Sequence, residues 1–289
     1  MTNVTNIQIP TLRNKAITVR VKRSMYVPTK YDKGATAAAE AAIGAHKAGK
    51  YTKKLLRGCK ELRDCQHAFQ DVYTYATQNT LPWMDEGVRV LPNANYIEFA
   101  AELGRLRANA MAKVESLYRV WDSEIVKDKG YLGGMWDLTD YPTKEEMRQK
   151  WDIKVMFAPV ATAEDFRIDM DEDDKEALNN AINDVEKGAT GYLMKEILAP
   201  VVAMAEKLAV PIGAEGAIFR DTLVNNVKDV CKRAKKLNIN NDSRIDEVVK
   251  DIEDALVSIT PQTLRESDQV RATTQKRMDA VSKKLNQWF

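Results

Sequence analysis

The chain has little of what a membrane, a secretory route or a metal centre requires. No apolar run approaches the ~20 residues of a membrane-spanning helix. The opening stretch, MTNVTNIQIPTLRNK, has no apolar segment of signal-peptide length behind a basic start. A cytoplasmic protein without membrane contact is expected. Cysteines number only 3, namely Cys59, Cys65 and Cys231. The count is odd, there is no CxxC pair, and Cys59 and Cys65 fall on different faces of one helical pattern. Buried, reduced thiols follow from this rather than a disulfide framework. Histidines are scarcer still: His46 and His67 are the 2 present, and a two-histidine metal site would need them to converge over a long range. No metal and no cofactor are expected.

Reaction signatures are missing as well. There is no GxSxG elbow, no GxxxxGK[ST] phosphate loop, and no GxGxxG after a strand. Carboxylates are abundant, yet nothing singles out a pair. The run Asp169–Asp174 begins like a calcium loop, but Asp174 stands where glycine is needed and Asn180 where glutamate is needed. Acidic residues before a helix are explained by the positive end of its dipole. The sequence therefore predicts no catalytic residue and a non-enzymatic protein.

What is present is the material of a folded globular chain. It has 289 residues, 44% hydrophobic and 30% charged, with 7% aromatics to build a core. The net charge is only +2, but it is unevenly spread. Residues 1–63 carry 14 Lys/Arg against 3 Asp/Glu, and the remainder carries 30 against 39.

Alternation in Ile17–Lys22 predicts a strand, closed by Val27-Pro28. The Ala/Gly/Lys-rich stretch 29–50 reads as a mobile basic arm or a weakly held helix, for it has almost no large apolar residue to dock one. From Tyr51 to Gln78 the residues Leu55, Cys59, Leu62, Gln66, Phe69, Tyr73 and Ala76 follow helical spacing. After a loop over 79–94, Asn95 caps a second helix carrying Phe99, Leu103, Leu106, Ala110, Val114, Leu117, Trp121 and Ile125. The two stripes predict a long antiparallel helical hairpin. Thr143 and Glu146 form a capping box. Residues 153–157 and 166–168 read as strands that, with 17–22, make a small antiparallel sheet in the middle of the chain. The rest is helical: 171–208, bent or split at Gly188, Gly191 and Pro200; 217–237; a helix from Ser243; and a last one starting at Thr260-Pro261. The expected class is mainly α (α+β), in three segments: 1–50, 51–170 with hairpin and sheet, and a C-terminal helical bundle over 171–289.

Two places invite a partner. The proline-bracketed loop at the hairpin tip offers Trp83, Asp85, Glu86 and Arg89, of which Trp and Arg are common interface anchors; the alternative is that Trp83 and Leu91 seal the hairpin end. Further back, Lys50, Lys53, Lys54, Arg57 and Lys60 recur every three or four residues with Tyr51 among them. One helical face of this kind suits a phosphate backbone of DNA or RNA. The alternative is a solvated face.

Tyr51-Thr52-Lys53-Lys54-Leu55-Leu56, Thr80-Leu81-Pro82-Trp83, Arg89-Val90-Leu91-Pro92, Asn95-Tyr96, Asp140-Tyr141-Pro142 and Asp165-Phe166-Arg167 resemble uncharacterised proteins of tailed bacteriophages. The likeness covers residues 50–170. It implies a viral origin and expression in a bacterial cytoplasm, and it transfers no activity. The long stripes without a reaction centre favour a protein that assembles with itself or binds a phage or host protein through helical interfaces. A nucleic-acid-binding accessory of replication, recombination or packaging is the alternative, and an inhibitor or adaptor of a host enzyme is the third reading.

Overall fold

A computed structural model describes residues 12–84, 87–160, 172–210 and 222–288. The chain divides into two compact units, one from Met1–Arg20, Thr77–Ile97 and Met156–Phe289, the other from Val21–Ala76 and Glu98–Val155. Neither is a continuous stretch, so the three consecutive segments expected from sequence do not coincide with them. The class is as expected: mainly helical, with a long helical hairpin, a four-stranded sheet and a C-terminal bundle. Among the described residues no helix is long and apolar enough to cross a membrane.

The first unit holds the bundle and most of the sheet: the strands at 81–84 and 88–92, the first strand as far as Arg20 and the last from Met156. After a four-residue helix α1 (Leu12–Lys15) comes β1 (Ala16–Ser24), then later in the chain β4 (Leu81–Met84), β5 (Val88–Pro92) and β6 (Asp152–Pro159), in the order β4-β5-β1-β6. β1 and β5 pair antiparallel, with Ile17 opposite Leu91 and Val19 opposite Arg89. Thr18 Oγ1 donates to the Ala158 carbonyl at 3.0 Å, and β1 and β6 are neighbours as expected. The loop read over 79–94 is instead the β4–β5 hairpin. Its prolines do not exclude strand: Pro82 lies on β4 at the sheet's edge and Pro92 ends β5, where a missing N–H is tolerated. The strand expected over 166–168 and the acidic run through Asp171 lie outside the described residues.

In the bundle, α6 (Glu172–Ala209) packs on α7 (Thr222–Leu237), α10 (Asp268–Asn286) and β4, and α8 (Ser243–Leu256) packs on α7 and α10. Gly188, Gly191 and Pro200 do not split α6. Ile197, Val201 and Met204 on either side of the proline are fully buried, and each contributes about 1.5–3 kcal/mol, which offsets the lost hydrogen bond. The last helical stretch, in contrast, divides. Thr260 caps α9 (Pro261–Glu266), and then Ser267 leaves helical geometry and caps α10 by accepting from the Val270 N–H. The joint is held by Arg271, which is buried and donates to the carbonyls of Lys207, Val210 and Leu264, carbonyls at or just past the ends of α6 and α9.

The second unit holds β2 (Thr29–Tyr31), α2 (Lys33–Ile43), β3 (Thr52–Lys54), α3 (Lys60–Gln78), α4 (Tyr96–Leu132, from Glu98 on) and α5 (Lys144–Gln149). α3 and α4 run antiparallel. Tyr75 stacks on Phe99 at 5.5 Å near one end, while Cys59, just before α3, meets Glu124 at the other. The buried face of α3 is Leu62, Cys65, Ala68, Phe69, Val72 and Ala76; Leu62, Phe69 and Ala76 are as expected, while Cys65 and Val72 are buried in place of their neighbours Gln66 and Tyr73. On α4 the expected residues are buried, apart from the half-buried Leu106. The predicted capping box is present: Thr143 Oγ1 accepts from the Glu146 N–H, and Glu146 accepts from the Thr143 N–H.

The helix expected from Tyr51 starts only at Lys60. Residues 52–54 are strand, paired antiparallel with 29–31. Between those strands, the Ala-rich stretch forms α2, capped by Asp32 accepting from the Ala35 N–H at 2.8 Å and closed at Gly44 in left-handed conformation.

Candidate functional site

The hairpin-tip residues do not form an exposed constellation. Trp83 is buried in the core of the first unit with Leu81 and Val90. Arg89 turns back on its own unit: its guanidinium donates to Thr80 Oγ1 at 2.6 Å and to the carbonyls of Thr77 and Thr80, and it lies 5.9 Å from the Tyr192 ring. Trp83 and Leu91, offered as the seal of the hairpin end, are both buried, and Trp83 packs into the sheet-and-bundle core. Asp85 and Glu86 lie outside the described residues.

The basic residues are rearranged more than lost. A strand in place of a helix alternates its side chains between two faces, so Lys53 and Lys54 point opposite ways. Lys53 is buried and fully engaged, 2.5 Å from Asp140, 3.3 Å from Asp32 and donating to the Met135 carbonyl at 2.6 Å. Burial opposes its charge, but hydrogen bonds to Asp140 and Asp32 outweigh that and hold its pKa above the ordinary lysine value. It is a structural staple, removed from any partner surface. Lys60 pairs with Asp64 at 2.7 Å, one turn along α3.

Next to this staple lies a second buried group that sequence reasoning missed. Asp128 on α4 accepts from the N–H groups of Leu56 and Arg57 at 2.6 and 3.2 Å and from Tyr141 Oη at 2.5 Å. It therefore fixes the turn between β3 and α3, where Leu56 and Gly58 both have positive φ. Tyr26, buried against Trp121 at 5.5 Å, has its hydroxyl pushed up to about 12 by burial and by the nearby charges of Asp128 and Asp140.

This frame positions an open basic module over residues 29–57. Tyr51 is pinned by its backbone: its N–H donates to Thr36 Oγ1 at 2.9 Å, and its carbonyl accepts from the Asp32 N–H at 3.0 Å. Its ring is 43% exposed, and Tyr31, on β2 opposite Thr52, is 44% exposed. In the same stretch Lys30, Lys33, Lys47, Lys50, Lys54 and Arg57 are all exposed. None of the six makes an ion pair among the described residues, and Glu40 is the only acid on the module besides the engaged Asp32. A slot of about 260 Å³ runs between α2 and residues 45–51, walled by Ala39, Ile43, Ala48 and Tyr51, with Lys50 at its side. Of the residues expected to bind nucleic acid, Lys50 and Tyr51 line the same slot, and Lys54 and Arg57 are exposed nearby in the chain. The structure withdraws Lys53 into the interior and engages Lys60 with Asp64.

The chain is therefore an α+β protein with a buried polar staple beneath a cationic, tyrosine-bearing surface. Compared with known proteins, it matches no family model, no curated protein and no solved structure.

Proposed function

We propose that the protein is a non-enzymatic binder of single-stranded nucleic acid, acting through the β2–α2–β3 module. The observation that carries this reading is a local surplus of free cations: residues 29–57 hold six exposed Lys/Arg side chains, none in an ion pair among the described residues, together with two exposed, backbone-anchored tyrosines. Cations along a track hold phosphates, and tyrosine faces stack on unpaired bases, which a duplex keeps inside. In the bacteriophage setting that the sequence resemblance implies, such a protein serves replication, recombination or packaging in the host cytoplasm. The apolar stripes that favour helix-mediated assembly are largely consumed inside the chain's own units, where Phe69 and Trp121 are fully buried.

The test is fluorescence anisotropy with a labelled oligothymidylate and a matching duplex at low salt. Tight binding of the single strand is expected, with weaker binding of the duplex. Tyr51→Ala should cost about 1–3 kcal/mol, and joint reversal of Lys47, Lys50 and Lys54 to Glu should abolish binding. Equal binding by the triple variant, or none by the natural protein, overturns the reading.

A further inference from the structure

The hairpin unit contains a larger cavity, of about 600 Å³, between the turn Leu56–Gly58, the first turn of α3, and the face of α4 from Val120 to Tyr131. That volume is in the range of small-molecule sites. The turn is rigid because Asp128 holds two of its N–H groups. Gly58, at φ +105, admits the Tyr131 ring against it: a Cβ there would stand 3.2 Å from Tyr131 Oη. The ring nevertheless remains 66% exposed, a flat face at the mouth.

The charged lining is mixed, and the mixture narrows the ligand. Arg57 has no ion-pair partner among the described residues. Lys60 and Lys127 are held by Asp64 and Glu124, yet both lysines are mostly exposed, and an ammonium has three donors, so each can donate to a ligand anion beside its carboxylate. Glu61, Glu124 and Asp128 all line the cavity. Glu124 is held by Lys127 and Asp128 by the turn and Tyr141, which leaves Glu61, whose contact is the weak Cys59 thiol donor. A bare anion would meet repulsion from that carboxylate, so the site asks for N–H donors beside the negative group. A flat ring, adjacent N–H donors and a phosphate coincide in a guanine nucleotide, whose N1–H and exocyclic amino group together match one carboxylate.

We propose that this cavity binds one guanine nucleotide, with its phosphate at Arg57 and Lys60, its base on Tyr131, and its N–H edge toward Glu61. The site deepens the nucleic-acid reading, because Arg57 belongs to both the module and the cavity, but it is tested apart from it. The ligand is either free or part of a strand, and the experiment distinguishes the two.

Calorimetric titration of the full chain with guanosine monophosphate should saturate. Uridine monophosphate and inorganic phosphate should bind at least about tenfold more weakly, the loss of one stacked base. Arg57→Ala and Tyr131→Ala should each weaken guanosine monophosphate by about tenfold with the circular dichroism spectrum unchanged. Glu61→Gln should erase its preference over inosine monophosphate, which lacks the amino group. An oligothymidylate carrying one guanine should outbind the plain oligomer if the strand is the source; equal binding of the two, with guanosine monophosphate saturating, assigns the site to the free nucleotide. Unchanged affinity in Tyr131→Ala, or equal affinity for phosphate, overturns the site. Strand binding without guanosine monophosphate saturation overturns it too, whereas saturation without strand binding supports it and refutes the module's role instead.

Discussion

Asp128 is the residue on which the second unit's polar interior turns. It neutralises no cation; it accepts three hydrogen bonds that would otherwise be buried and unmet. Asp128→Ala should therefore destabilise the fold by on the order of 3 kcal/mol in urea unfolding, with Asp128→Asn costing less, because an amide oxygen can still accept. The thiols give a second residue-level expectation. Burial pushes Cys59 up to about 11 and Cys65 and Cys231 up to about 12, against an ordinary value of 9.0. A group whose folded pKa is raised contributes its stability fully below the unfolded value and loses it as pH climbs toward the folded one. Thermal stability should thus decline progressively from pH 9 upward. Asp32 has the opposite sign: the Ala35 N–H and then Lys53 hold it below the ordinary carboxylate value, so its contribution disappears as pH falls below about 4. A melting-temperature profile across pH checks both edges, and alkylation of the native thiols should be slow at neutral pH.

Among the elements, α3 shows what spacing can and cannot settle. The periodicity from Leu62 to Ala76 marks a helix, but at two turns adjacent residues compete for the inner face, and packing buries Cys65 and Val72 rather than Gln66 and Tyr73. Phe69→Ala should cost about 3–5 kcal/mol by the cavity it leaves, whereas Tyr73→Ala, at a 40% exposed position, should leave the urea midpoint nearly unchanged. Two helix starts were legible from their local caps, Thr143 with Glu146 and Thr260 with Pro261, whereas the caps at Asp32 and Ser267 were not. Asn95, read as a cap, lies in a 3-10 turn and donates to the Lys236 carbonyl instead. The strands β3, β4 and β5 were not legible. Thr52-Lys53-Lys54 has no apolar alternation, and its conformation is decided by a partner some twenty residues earlier. Prolines 82 and 92 read as loop brackets because only a sheet's edge and ends forgive them. The candidate site was half legible for the same reason. Sequence supplies the cations and Tyr51, while Asp32, Asp128 and Asp140, which decide which lysine is buried, look like any other acids until the fold gathers them.

At the scale of the molecule, the near-neutral total conceals a local surplus. If the six exposed cations of the module each meet a phosphate, log K against log salt should fall with a slope of about −4 for a single strand, and neutralising three of them to Gln should halve it. A slope near zero from anisotropy titrations between low and physiological salt would remove electrostatics from the account.

The interleaved order of the two units bears on how the chain is made. Leu81, Trp83 and Val90 leave the ribosome long before their covering partners Ile197, Met204 and Met278, which belong to the same core. At ~5–20 residues per second, the uncovered hairpin waits on the order of ten seconds for its roof. A nascent chain halted after β6 would hold an aromatic, sticky sheet with nothing to lie on it, and productive synthesis of this protein consequently leans on whatever shields such surfaces in the cell.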